Sequence, residues 1–73
     1  MSPHDPIWRA FDTALAASAE ALADGRPMLA LAHATAARAL ASVLPYDATA
    51  YARVAFAYTQ AEFACHAAFG RWP

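Results

Sequence analysis

Seventy-three residues leave room for one domain, 1–73, and a domain of this size hides only about 60% of the surface that its unfolded chain exposes. A single cysteine, Cys65, excludes an internal disulfide framework. A formal net charge of −1, no lysine and five scattered arginines (Arg9, Arg26, Arg38, Arg53, Arg71) exclude the clustered basic face of a nucleic-acid binder.

Alanine supplies 23 residues, while Leu, Ile, Val and Phe together supply 13. Alanine is the best helix former because it loses no side-chain entropy on ordering. It buries little area, so a core made from it must gain from close backbone approach. The most apolar stretch, Met28 to Leu44, contains His33 and Arg38 and falls short of the ~20 apolar residues of a membrane span. Met1 to Asp5 lack the basic region and apolar core of a signal peptide, and the cytoplasm is the expected compartment.

The spacing predicts an all-α, antiparallel three-helix unit with helices at about 6–24, 27–44 and 48–69. Asp5-Pro6 reads as an N-cap followed by proline at the first helical position, where a missing N–H costs nothing. Ile7, Phe11, Leu15, Ser18 and Leu22 share one side of the first helix, with Arg9, Asp12, Glu20 and Asp24 opposite. Asp5 and Arg9, four apart, are placed to pair. Gly25 stops this helix.

Pro27 opens the second helix and Pro45 ends it. Leu29, Ala32, His33, Ala36, Leu40 and Val43 form one stripe; Met28, Leu31, Thr35 and Ala39 form another. A helix apolar nearly all round is expected to be buried on more than one side.

Asp47 caps the third helix, which ends at Gly70. Tyr51, Val54, Tyr58, Ala61, Cys65 and Phe69 form one stripe, expected to pack on the first two helices. Ala52, Phe56, Phe63 and Ala67 form a second, roughly opposite. A lone three-helix unit has nothing to lay on that second stripe, which therefore reads as a helix–helix contact surface.

The stretch from Ala14 to Pro45 resembles a tetratricopeptide-type helix pair. Ala21-Leu22, Gly25, Ala30-Leu31, Ala34 and Ala37 match the small-residue skeleton of that repeat, while Ala14, Ala21 and Ala34 stand where it carries larger side chains. The resemblance implies a unit that needs neighbours to bury its faces.

Little chemistry is visible. Adjacent helical residues point about 100° apart, so Cys65 and His66 do not make a nucleophile–base pair, and Cys65 reads as a small core hydrophobe. Glu62 and His66, four apart on one flank, have metal-chelating spacing, with His33 as a third candidate ligand. The favoured reading of His33 is a core histidine bonded to Tyr51, Tyr58 or a backbone carbonyl, with a ligand contact or an interface position as the alternatives. Trp8, Tyr46 and Trp72, near helix ends, serve either as interface aromatics or as anchors.

The expectation is a small cytoplasmic accessory, adaptor, chaperone-like or inhibitory protein, not an enzyme and without a cofactor. Its partner is protein, either itself in a helical-bundle homodimer or a dedicated chain. Its interface is Phe56, Phe63, Ala52 and Ala67, with Leu31 and Met28 secondary. The alternative is a small metal- or apolar-ligand-binding protein using His33, Glu62 and His66.

Overall fold

In a computed structural model, which describes residues 6–70, the chain forms three helices: α1 (Pro6–Ala23), α2 (Pro27–Ser42) and α3 (Ala48–Phe69). Asp5, its expected pairing with Arg9, and Arg71 and Trp72 lie outside the described residues.

The connections are short because each helix end is chemically marked. After α1, Gly25 adopts φ +73°, its N–H bonds to the Leu22 carbonyl at 3.1 Å, and the Arg26 N–H bonds to the Ala21 carbonyl at 2.9 Å. This pair of bonds is a Schellman end, which satisfies two carbonyls that the helix would otherwise leave open. Pro27 then starts α2 within two residues. At the far end, α2 stops at Ser42, two residues before the expected Leu44. The Val43 and Leu44 N–H groups bond only three residues back, to Leu40 and Ala41, tightening the last turn before Pro45. The Asp47 carboxylate accepts from the Ala50 N–H at 3.0 Å and caps α3, and Gly70 closes that helix at φ +76°.

α2 lies closest to α1, then to α3, while α1 and α3 meet least. The side of α2 that reaches the core consists of Ala30, Ala34, Ala37 and Ala41, all buried. This corrects the expectation that α2 is buried on more than one side. Val43 is 66% exposed, Met28 and Leu29 are also exposed, and Leu40 is half-buried on a flank. The physical reason is steric. Interaxial distance is set by the side chains at the contact, and methyl groups let α2 approach both neighbours at once.

The core has two parts. Phe11, Ala14 and Leu15 of α1, Ala37 and Ala41 of α2, Leu44, and Ala50 and Val54 of α3 form the larger. The indole of Trp8 meets the Phe11 ring edge-on at 5.6 Å, so Trp8 anchors the start of α1. Its ring N–H is buried without a hydrogen-bond partner. Ala21, Ala30 and Ala61 form the smaller part, flanked by Leu22 and Leu31. Between them Ser18, fully buried on α1, donates to the Ala30 carbonyl at 2.9 Å and ties α1 to α2.

On α3 the inner stripe is narrower than expected. Val54, Ala61 and Cys65 are buried and Tyr58 is half-buried, but Tyr51 and Phe69 are exposed. Tyr51 instead stacks on Tyr46 at 5.3 Å, in the loop before α3. Among the described residues no helix is long and apolar enough to cross a membrane.

Candidate functional site

The weak contact between α1 and α3 leaves a groove of ≈ 420 Å³ between them. Leu15, Ala19 and Leu22 form its α1 wall; Thr49, Ala52, Phe56, Ala57 and Gln60 form its α3 wall. The groove exists because α1 and α3 are each drawn to the alanine seam of α2, and nothing comparable draws them to each other.

One polar link spans the opening. Arg53 of α3 pairs with Asp12 of α1 at 3.0 Å, and its guanidinium lies 5.5 Å above the Phe11 ring. Both partners of the ion pair are about half exposed, so the pair contributes on the order of 1 kcal/mol or less. Among the described residues it neutralises the only charged side chain lining the groove.

The first part of the outer stripe of α3, Ala52 and Phe56, runs along this groove. Phe56 is 68% exposed and Phe63 61% exposed, with Ala52 and Ala67 also at the surface. Ala52 and Phe56 line the groove itself; Ala67 lines a shallower one with Gly25, Pro27, Ala64 and Ala68. Leu22 belongs to both, which joins them into one apolar side of the molecule. The structure thus brings together the four α3 residues expected at an interface.

The two expected from α2 are elsewhere. Leu31 is half-buried against Ala21, Ala30 and Ala61, inside the chain's own smaller core cluster. Met28 is exposed, but its thioether sulfur accepts from the Cys65 thiol at 3.6 Å. The α1 wall was missed from sequence. Leu15, buried in the larger core, and the half-buried Leu22 share the inner side of α1 in the sequence, but periodicity gives only the direction of a side chain and not the groove that opens beside it.

The metal and catalytic candidates are not assembled. Among the described residues no group of three or more His, Cys, Asp and Glu side chains is placed to hold a metal ion. His33, Glu62 and His66 are therefore not one ligand set. His33 is half-buried and lines a shallow groove between α1 and α2 with Glu20, Asp24 and Arg26; it is not a core histidine. Nor do the tyrosines proposed as its partners serve it: Tyr51 stacks on Tyr46, and the Tyr58 ring lies 4.8 Å from the Arg38 guanidinium. Cys65 is buried while His66 is exposed. Burial pushes the Cys65 thiol above its ordinary value of 9.0, and the nearby Glu62 carboxylate adds to that shift. The result is a neutral thiol, the opposite of an activated nucleophile.

Compared with protein-family models, with curated proteins and with solved structures, the chain matches none. The tetratricopeptide-type likeness rests on residue pattern alone. Of its small residues, Ala21, Ala30, Ala34 and Ala37 are buried.

Proposed function

We propose that the chain is a helix-docking protein–protein interaction module, not an enzyme, and that it works through the α1/α3 side. The observation that carries this reading is the pair Phe56 and Phe63. Each keeps well over half of its surface in solvent, and Phe56 also lines the apolar groove. Burying large aromatics is a main source of interface energy, and aromatics left mostly exposed at helical spacing give up part of that energy in the free chain. An accessory, adaptor or inhibitory role fits a unit of this size. A cysteine kept neutral and inside fits a reducing compartment such as the cytoplasm.

A small apolar ligand is less well served by the same groove. Ligand sites set convergent polar groups among apolar walls to fix orientation. Here Ser18 is occupied by the Ala30 carbonyl and Arg53 by Asp12, leaving Thr49 and Gln60.

The test is Phe56→Glu/Phe63→Glu. The variant should keep the helical fold, because both positions are exposed, and should lose association as read by light scattering and by capture from the native host, together with whatever thermal stability the association adds. Association that survives both charges removes the reading.

A further inference from the structure

Resting on the interaction reading, we infer that the occupant of this side is a second copy of the same chain, with α3 lying antiparallel on α3 of its partner about a two-fold axis between Thr59 and Gln60.

The first argument is the order of residues along α3. Read forward from Ala52, the chain runs Ala52, Arg53, Val54, Ala55, Phe56. Read backward from Ala67, it runs Ala67, His66, Cys65, Ala64, Phe63. Alanine matches alanine, phenylalanine matches phenylalanine, Arg53 matches His66, and Val54 matches Cys65. Burial follows the same mirror: Val54 and Cys65 are inside, while Ala52, Phe56, Phe63 and Ala67 are outside. A two-fold interface is built from one patch meeting itself in reverse, so residue i meets j and j meets i. Antiparallel pairing about Thr59–Gln60 lays Phe56 beside the partner's Phe63 and Ala52 beside the partner's Ala67, twice over. It also opposes the helix dipoles.

The second argument is area. The stripe from Ala52 to Ala67 is ~22 Å long at 1.5 Å per residue. Its two phenylalanines expose on the order of 250 Å² together, taking ~200 Å² for a whole side chain. With the alanines and polar residues between them, α3 alone offers about half of the ~800 Å² per partner of a stable interface. The groove supplies a second wall. In this register the partner's Phe63 stands level with Phe56, at the depth where Leu15, Ala19 and Leu22 line the opening. A small chain with an alanine-rich core gains in this way the core that it lacks alone. Charge does not oppose the match, since Arg53 is neutralised by Asp12 within each copy.

Cysteine cross-linking in a Cys65→Ala background tests the geometry, with Ala52→Cys and Ala67→Cys as the two probes; both sites are exposed, so folding is undisturbed. In the antiparallel dimer the two copies of position 52 lie ~22 Å apart along the axis, far beyond the ~7 Å limit of a disulfide. Position 52 faces position 67. Mild oxidation of an equimolar mixture should give the mixed Ala52→Cys/Ala67→Cys disulfide as the main product, and Ala52→Cys alone should give little. Wild type should show twice its 7.8 kDa mass by light scattering, falling to one chain in Phe56→Glu/Phe63→Glu. Self-linking of Ala52→Cys at the level of the mixed product overturns the antiparallel arrangement. A wild-type mass of one chain at every concentration overturns the second copy. If a different protein is then captured through Phe56 and Phe63, the interaction reading outlives this inference; if nothing is, both fall.

Discussion

Replacing Ala34 by leucine tests the claim that α2 is held by small residues. Ala34 is fully buried in the middle of the seam Ala30, Ala34, Ala37, Ala41. Leucine is almost as good a helix former as alanine, so the substitution changes packing and leaves propensity nearly untouched. Ala34 lines none of the grooves described above, so three extra carbons must displace the side chains packed around it. Overpacking of this kind costs about 1–3 kcal/mol. A chain of this length has a total stability of about 4–11 kcal/mol. The loss is therefore a large share, and each kcal/mol lowers Tm by roughly 4–8 °C in a domain of this size. The control runs the other way. Val43, the residue just after α2, is 66% exposed, so Val43→Ala should cost about 0.5 kcal/mol or less. Urea denaturation at one fixed protein concentration measures both, the fixed concentration keeping any linked association constant. Ala34→Leu as stable as wild type, or Val43→Ala more damaging than Ala34→Leu, refutes the seam.

The other predictions concern single contacts. Asp47→Ala removes the carboxylate that accepts from the Ala50 N–H and should cost about 1 kcal/mol, with Asp47→Ser restoring most of it. Ser18→Ala should cost about 0.5–1.5 kcal/mol through the lost bond to the Ala30 carbonyl, and amide exchange should quicken most in the first half of α2. Gly25→Ala meets no neighbour within 4 Å but forces a side chain into a left-handed backbone, so a loss of about 1 kcal/mol should appear with no change in the core. For Cys65 the folded state holds the proton more tightly than the unfolded chain does. Its contribution is whole below the ordinary value of 9.0 and is lost as pH rises through and beyond it. Wild type should therefore lose stability above about pH 9 faster than Cys65→Ala, and parallel curves would contradict a buried neutral thiol.

The helix ends were readable from the chain because each depends on a local, chemically specific choice. Gly25 supplies positive φ, Pro27 fills a first-turn position, Asp47 caps and Gly70 closes, and none of these needs knowledge of a neighbour. The end of α2 slipped by two residues because its last turn tightens before Pro45, a balance between bonds three and four residues back that no residue type announces. The faces of the helices were harder. α2 is apolar nearly all round and so was expected to be buried on more than one side, yet bulk is what keeps helices apart, and the core took only its seam of methyl groups. On α3 the outward aromatic stripe was legible because its direction follows from register alone. The groove beside it was not, because it is created by the poor approach of α1 to α3, a property of three helices together. The metal reading failed for a related reason: spacing places Glu62 and His66 on one flank of one helix, but whether His33 arrives there depends on which side of α2 meets α3.

An alanine seam also bears on association. Helices that approach closely through small residues gain backbone and methyl contact but little hydrophobic area, at roughly 25 cal/mol per Å². In this chain the large side chains that would add area are divided. Phe11, Leu15, Leu44 and Val54 are spent inside, and Phe56 and Phe63 are held outside. Exchanging them would not improve a single copy, because a phenylalanine at Ala61 or Ala50 would push α3 off the seam. The close packing that makes α2 a good centre therefore leaves no room for the bulk that would make one copy stable, and places that bulk on the surface. Swapping Ala61 with Phe63 tests this directly. The double variant Ala61→Phe/Phe63→Ala keeps composition and helix propensity but should lose more than about 2 kcal/mol, because a ring forced into the Ala21–Ala30–Ala61 cluster overpacks it. A double variant that is more stable than wild type, and monomeric, would mean that the exposed ring is an accident of sequence and that the seam imposes nothing.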